Sequence, residues 1–402
     1  MNLRSIFPLV AAKKLVAVDL PNHGSNQHEI NGVADLRELF SGEKRNEPIQ
    51  WAYFADDREP VWETGTVTFY DARAKSHERT GRSEWRLYYY GDFIAHATEG
   101  DVLVLARRST GELYGLVFQA GSAWLTAASS LFSLEDLTPK MLFLGGKELD
   151  REIDFATTRL LDELGIDAEV PIDSRIETLA ADELKKARAD GRPFPNTQTM
   201  SKLARTIVDV GHDQPDEALM AWLEAEEALF RAVEAIIVGE KLEKGFESVD
   251  DFISYSLSVQ NRRKSRMGYA LQNHLEHLFA ADKLRFETQA VTEGKNRPDF
   301  LFPGSHEYHD SRFDPQKLRM LGAKSSCKER WRQILTEAER IPRKHLCTLE
   351  GAISRDQTDE MKRQGVLLVI PNTIRFSYGA DQRKDILSAA EFMTEVKGLQ
   401  TQ

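Results

Sequence analysis

The sequence predicts a multidomain α+β protein, with a β barrel or sandwich in its first part and an α/β domain on a central mixed sheet in its second. Two observations carry that prediction. Up to about residue 165 the chain is a succession of short β-branched or aromatic runs, WAYFA, TVTFY, WRLYYY, DVLVLARR and LYGLVFQAG, separated by polar turns. Beyond about residue 205, helical periodicities alternate with short apolar runs, as a sheet flanked by helices requires. A chain of 402 residues suits one to three domains, most simply two of about 200. Between the two parts, RLLDELG and ETLAADELKKARAD read as helix, and GRPFPNTQT, with two prolines and a glycine, reads as loop. The expected division is therefore 1–170, a linker over 171–205, and 206–402.

Within the second part, a helix is expected from Asp216 to about Val238. Leu219, Trp222, Leu223, Phe230 and Val233 share one face of it, interrupted by Glu226. Further helices are expected over Val249–Leu257 and about Met267–Ala281. Strands are expected at 286–291, 299–302, 318–325, 345–349 and 366–370, interleaved with helices near 328–340, 355–364 and 386–397.

Composition narrows the function classes. With 41% hydrophobic and 29% charged residues, the chain has the make-up of a soluble globular protein with apolar material for cores. No apolar run approaches the roughly 20 residues of a membrane span. The N-terminal apolar piece is broken by Lys13 and Lys14 and lacks a signal-peptide cleavage region. Two cysteines, Cys327 and Cys347, are too few for a disulfide scaffold or a four-cysteine zinc site, and a cytoplasmic location is expected. The net charge of -11 argues against indiscriminate nucleic-acid binding but leaves local footprints open.

Three such footprints stand out. Asn261–Met267 carries Arg262, Arg263, Lys264 and Arg266 with no acid. The arm from Arg73 to Arg86 carries Arg73, Lys75, His77, Arg79, Arg82 and Arg86 against two acids. The loop His23–Gly32, HGSNQHEING, is rich in side chains able to hydrogen-bond base edges. A solvated helix face and two exposed loops are the plainer alternatives.

The stretch from Pro298 to Ile341 carries the chemistry. Asp299 opens the apolar run Phe300–Phe302. A second apolar run, Leu318–Cys327, ends near Lys324, and a buried lysine is costly unless it is paired or used. A helical pattern then begins at Lys328, with Trp331, Ile334, Leu335 and Ala338 as its stripe and Glu337 beside it. Two carboxylates and a lysine converging in this way suit metal-dependent phosphodiester hydrolysis. A lysine snorkelling from a strand edge is the competing explanation. His274 and His277, three apart with no further ligand pattern, do not make a metal site.

The wording of this half goes further. GFESVDDFISYSLSVQNRRKSRMGYALQNHLEHLF, TQAVTEGKNRPDFLFP and KSSCKERWRQILTEAERI, in that order between Gly245 and Ile341, resemble the catalytic domain of the EcoRII restriction endonuclease family, a branch of the PD-(D/E)xK nucleases. The resemblance implies a restriction-endonuclease-like α/β fold with Asp299, Lys324 and Glu337 as catalytic residues and Mg2+ held by Asp299 and Glu337. Most of that superfamily places a carboxylate two residues before the lysine, where this chain has Gly322. The branch instead takes an acid thirteen residues past the lysine, and Glu337 stands there. On the helix GYALQNHLEHLF the position where relatives often carry an acid is Gln272, which leaves Glu276, one turn on, as the candidate additional metal-proximal acid. Lys328, Glu329 and Arg330 are implied to read the outer C:G pairs, chemistry that suits donors for guanine and an acceptor for cytosine. Arg262 and Arg263 are further DNA-binding candidates. Trp222 and Arg231 are conceivable walls of a pocket for an extruded base, although plain core suits Trp222 better.

The first half is similar, more weakly, to the family's N-terminal effector domain, a B3-like pseudobarrel that grips DNA with two arms. His28, Arg73, Lys75, Arg79 and Arg82 are the candidate contacts there. Taken together, the resemblance implies a homodimeric type II enzyme cutting double-stranded DNA at a short CC…GG site. A second DNA copy would act as effector, and the N-terminal domain is placed to autoinhibit. Two alternatives are a catalytically silent DNA-binding regulator and a repair or junction nuclease of the same fold.

Overall fold

The computed structural model describes the chain except residues 1, 22–27, 31–33, 41–44, 75–82, 92, 135–136, 151–152, 154–159, 162–163, 167–171, 326, 352 and 402. The chain divides into two compact units, Met1–Ala168 with Ala352–Ser354, and Glu169–Gly351 with Arg355–Gln402.

The first unit is built on an eight-stranded sheet. Its strands are β1 (Leu9–Lys14), β2 (Glu29–Ile30), β3 (Arg45–Phe54), β4 (Val61–Asp71), β5 (Trp85–Tyr89), β6 (Val102–Arg107), β7 (Leu113–Phe118) and β8 (Leu142–Gly145). Their spatial order is β2-β5-β4-β3-β7-β6-β1-β8. All neighbours are antiparallel except β3 and β7, which run parallel with Trp51 opposite Gly115. Both faces of the sheet are covered, and this explains the unbroken apolar run VLVLA in β6. Val102, Val104 and Ala106 join one core with helix α1 (Ala123–Phe132), while Leu103 and Leu105 join the other around Trp51. Gly115 is dictated by packing: a β-carbon there would lie 2.2 Å from the Trp51 ring.

The second unit opens with four helices, α2 (Ser174–Ala189), α3 (Thr197–Ile207), α4 (Pro215–Lys244) and α5 (Val249–Ala281). The stretch 171–205, expected as a linker, is instead mostly helix. Asp173 and Asn196 cap α2 and α3 through their side chains. Ile176, Ala180, Leu184, Met200 and Ala204 then bury against Leu229, Phe230 and Val233 of α4. The two helices expected at 249–257 and 267–281 are one, because no proline interrupts 258–266 and Gly268 is tolerated inside a long helix. Ser248 caps its start, and Asp250 and Asp251 in the first turn suit the helix dipole.

A five-stranded mixed sheet follows: β9 (Glu287–Thr288), β10 (Phe300–Phe302), β11 (Arg319–Lys324), β12 (Lys344–Thr348) and β13 (Val366–Val369), in spatial order β13-β12-β11-β10-β9. β11, β12 and β13 are parallel, whereas β10 runs antiparallel to both of its neighbours. Helices α6 (Arg355–Arg363) and α7 (Ala389–Thr401) complete the unit. Phe279 of α5 packs edge-on against Phe300 and Phe302, and lies 6.2 Å from Phe392 of α7. This aromatic cluster fixes α5 and β10 together, and so fixes what stands beside them.

Candidate active site

Asp299 directly precedes β10, and Lys324 closes β11, whose Leu321 pairs with Phe300. Strand pairing therefore brings the two side chains together, with Lys324 Nζ 2.9 Å from Asp299 Oδ2. The backbone N–H of Ala323 donates to the same oxygen at 2.7 Å. The other oxygen, Oδ1, accepts from Gln272 Nε2 at 2.8 Å and Gln289 Nε2 at 2.9 Å. A carboxylate offers about four lone-pair directions, so four donors hold buried Asp299 in one orientation.

Glu337 comes from a different kind of element than the helical pattern implies. Lys328–Thr336 is a 3-10 helix, and Glu337 is its C-cap, in extended conformation with φ -86° and ψ 138°. The residue after it, Ala338, is fully buried with φ 52°. That left-handed turn ends the helix before Ala338 can join a stripe. Glu337 nevertheless reaches the site. Burial first, then the negative charge of Asp299, pushes its carboxyl up to about 7, against the pull of Lys324 and Lys344. Its Oε2 is buried with no hydrogen-bond partner. Gly322, two residues before the lysine, is closely packed: a β-carbon there would stand 3.0 Å from Ile334 Cγ2, which would have to shift.

Asp299 borders a cleft of about 410 Å3 lined also by Asn196, Tyr269, Gln272, Glu276 and Gln289. Glu276 is thus exposed on the cleft wall, and Gln272, one turn before it, is the side chain that touches Asp299. No group of three or more His, Cys, Asp or Glu side chains able to hold a metal occurs among the described residues. Asp299 and Glu337 are a two-carboxylate set, which matches the way Mg2+ is held by one or two carboxylates with waters completing the shell. The buried, unpartnered Oε2 of Glu337 is an oxygen of the kind such an ion takes as a ligand.

The other candidates fall in different surroundings. Arg262 lies over the Phe194 ring, and Arg263 binds buried Glu234. Arg266 is buried over Phe230 and paired with Glu227. Arg263 and Arg266 therefore spend charge on acids of α4, and the side chain of Lys264 lies outside the described residues. Trp222 is core, and Arg231 pairs with Glu227. His274 is buried between Glu226, at 2.9 Å, and Arg205, at 3.1 Å, and burial lowers its pKa; Glu226 interrupts the apolar stripe of α4 in order to meet it. Lys328, Glu329 and Arg330 form the first turn of the 3-10 helix, but their side chains lie outside the described residues. The turn itself is anchored by the Cys327 N–H on buried Glu350. In the first unit, His28 packs against Tyr88 and Tyr89, and Arg73 pairs with Glu84 at 2.6 Å. Lys75, Arg79 and Arg82 lie outside the described residues. Sequence reasoning missed Gln289, for which no local signal existed, and Lys344.

Comparison with known proteins follows this geometry. Residues 230–393 match the family model "EcoRII C terminal". The chain is 47% identical over 207 residues to "Type II restriction enzyme EcoRII" of Escherichia coli, covering 51% of each, so it matches that relative over about half of its length. Among solved structures, it is similar to metal-depleted Ecl18kI in complex with uncleaved DNA, with TM-score 0.44, 21% identity and coverage of 56% of this chain and 83% of that one. It is also similar to the restriction endonuclease PspGI in complex with substrate DNA, with TM-score 0.45, 16% identity and coverage of 52% and 94%. Over residues 230–393, then, the chain is similar to the EcoRII C-terminal family.

Proposed function

We propose that the chain is a type II restriction endonuclease that hydrolyses double-stranded DNA at a short CC…GG-type site with Mg2+. The observation that carries this reading is the joining of Asp299 and Lys324 at 2.9 Å beside a half-buried Glu337 whose Oε2 has no hydrogen-bond partner, inside a segment similar to a restriction enzyme. Asp299 and Glu337 are the residues that would hold the cation. When bound, such an ion polarises the scissile phosphate and acidifies water. Asp299 is oriented by Gln272, Gln289 and the Ala323 N–H. The ammonium of Lys324, partly exposed beside Asp299, faces the charge that develops on the phosphate as water adds to phosphorus and the ester bond breaks. Lys328, Glu329 and Arg330 read the outer base pairs.

The same reading makes the first unit the effector domain, a pseudobarrel binding a second DNA copy through the His28 and Arg73 regions and restraining the catalytic unit. It also makes the enzyme a homodimer, since one active centre per chain must cut both strands of a near-palindromic site. The apolar stripe Val249, Phe252, Ile253 and Leu257 on α5, each residue about half exposed or more, supports a partner copy.

Digestion of a sequenced plasmid in roughly 10 mM Mg2+, a generous excess for a weakly held ion, tests the reading. Discrete fragments ending at one CC…GG word, absent with Lys324→Ala, are expected. If neither protein cuts, even with added target oligonucleotide, a DNA-binding regulator is the better description. Cutting restricted to branched DNA identifies a junction nuclease.

A further inference from the structure

Lys344 opens β12 and is buried, yet among the described residues no carboxylate forms an ion pair with it. Its ammonium donates instead to two backbone carbonyls, Ala338 O at 3.1 Å and Ile341 O at 3.0 Å. Burying an ammonium to satisfy two carbonyls is costly, and a neutral side chain fills such a space more cheaply. What the lysine closes is the turn Ala338–Ile341, whose first residue is an alanine in the left-handed region. That conformation is strained for a residue with a β-carbon, and it persists only where surrounding contacts over-determine it. The contacts here converge on that turn. Ile341 N–H bonds Ala338 O at 2.9 Å, Ala338 N–H bonds Thr292 Oγ1 at 3.4 Å, and Glu339 N–H bonds Glu293 Oε2 at 3.1 Å. Glu337 is the residue that enters the turn, and its direction is set by how the turn is held.

We propose that Lys344 is a positioning residue of the active site: by tying the carbonyls of Ala338 and Ile341 it holds the strained turn that aims Glu337 at Asp299. The proposal rests on the nuclease reading for what Glu337 does once aimed. It separates the acidic residue of the site from its support. Glu337 would contact the cation, whereas Lys344 sits beneath the turn and would touch no reacting atom.

The test uses the full chain and two readouts: Mn2+ binding without DNA, followed by the free-ion resonance signal, and single-turnover cleavage with Mg2+ well below the unfolding temperature. Lys344→Met is expected to weaken Mn2+ binding and slow cleavage by about tenfold each, the usual effect of removing a support for a ligand. Adding Ala338→Gly, which adopts the left-handed turn without strain, is expected to restore most of both. Parent-like Mn2+ binding and cleavage by Lys344→Met, with only the melting temperature lowered, would overturn the proposal. So would a lack of rescue by the double variant. If Lys344→Met does not fold, Lys344→Gln, whose shorter side chain cannot tie both carbonyls, is expected to show the same losses in smaller measure, and parent-like Mn2+ binding and cleavage by it would overturn the proposal. Asp299→Asn distinguishes the two levels. If it binds Mn2+ and cleaves like the parent, the nuclease site itself is wrong. If Asp299→Asn is inactive while Lys344→Met is parent-like, only the role of Lys344 fails.

Discussion

Gln289 adopts a left-handed backbone conformation, φ 52°, and from it delivers its carboxamide to Asp299 Oδ1 at 2.9 Å. The Gln289 N–H in turn bonds the Asp299 carbonyl at 3.2 Å, so backbone and side chain grip the same residue. Gln289→Ala keeps the strained backbone and removes one of the four donors on the carboxylate. Cleavage is expected to fall about tenfold to a hundredfold, with the melting temperature changed by only a few degrees. Single-turnover rates beside thermal melts check both halves of that expectation.

The exposed stripe on α5 yields a second prediction. Phe252 and Leu257 are about half exposed, so charging them costs the folded subunit little. Phe252→Asp with Leu257→Asp is expected to convert a dimer into a folded monomer, read by sedimentation velocity. A parent chain that sediments as a monomer, or a double variant that still dimerises, places the interface elsewhere.

Stability should depend on pH through His345. Burial pushes this residue, packed at 5.0 Å from Phe392, down to about 4 from an ordinary 6.5. The unfolded chain therefore takes up the proton first as pH falls, so the contribution is intact above about pH 6.5 and is lost between there and about pH 4. The full loss amounts to about 3 kcal/mol. Urea unfolding at pH 7.5 and pH 4.5 should show a smaller drop for His345→Leu than for the parent; equal drops would assign the acid sensitivity to other groups.

Truncation is expected to divide at α2. Removing residues 1–168 leaves α2 and α3 on α4, and under the proposed restraint by the first unit cleavage should rise. Removing residues 1–205 strips Ile176, Ala180, Leu184 and Met200 from Leu229 and Phe230. That exposes an apolar face and is expected to lower the melting temperature and solubility. Melting curves and plasmid cleavage by the two fragments provide the comparison.

How far these features were legible follows from the range of the interactions behind them. Asp299 and Lys324 sit at the ends of apolar runs, and strand pairing of those runs is a local consequence of pattern, so their meeting was readable. The strands of the first unit were readable for the same reason, because each buried run is bounded by turn residues. Gln289 and Lys344 were not, since their value lies in reaching across the fold to a carboxylate and to a turn, and neither leaves a periodic trace. The Glu337 element was misread because Trp331, Ile334 and Ala338 have helical spacing, while the left-handed Ala338 is imposed by Lys344, Thr292 and Glu293 from other segments. The basic run Arg262–Arg266 looked like surface because the sequence cannot show that Glu227 and Glu234 lie on the opposing helix.

The crowding at Gly322 has a consequence for how the molecule can be disarmed. Ile334 stands 3.0 Å from where a β-carbon would lie, so a larger residue at 322 presses on buried Ile334 of the 3-10 helix that ends at Glu337. Under the nuclease reading, one carboxylate is held by strand pairing and the other by that separate segment. A substitution that shifts the segment alone would then silence the proposed activity in a chain that still melts normally.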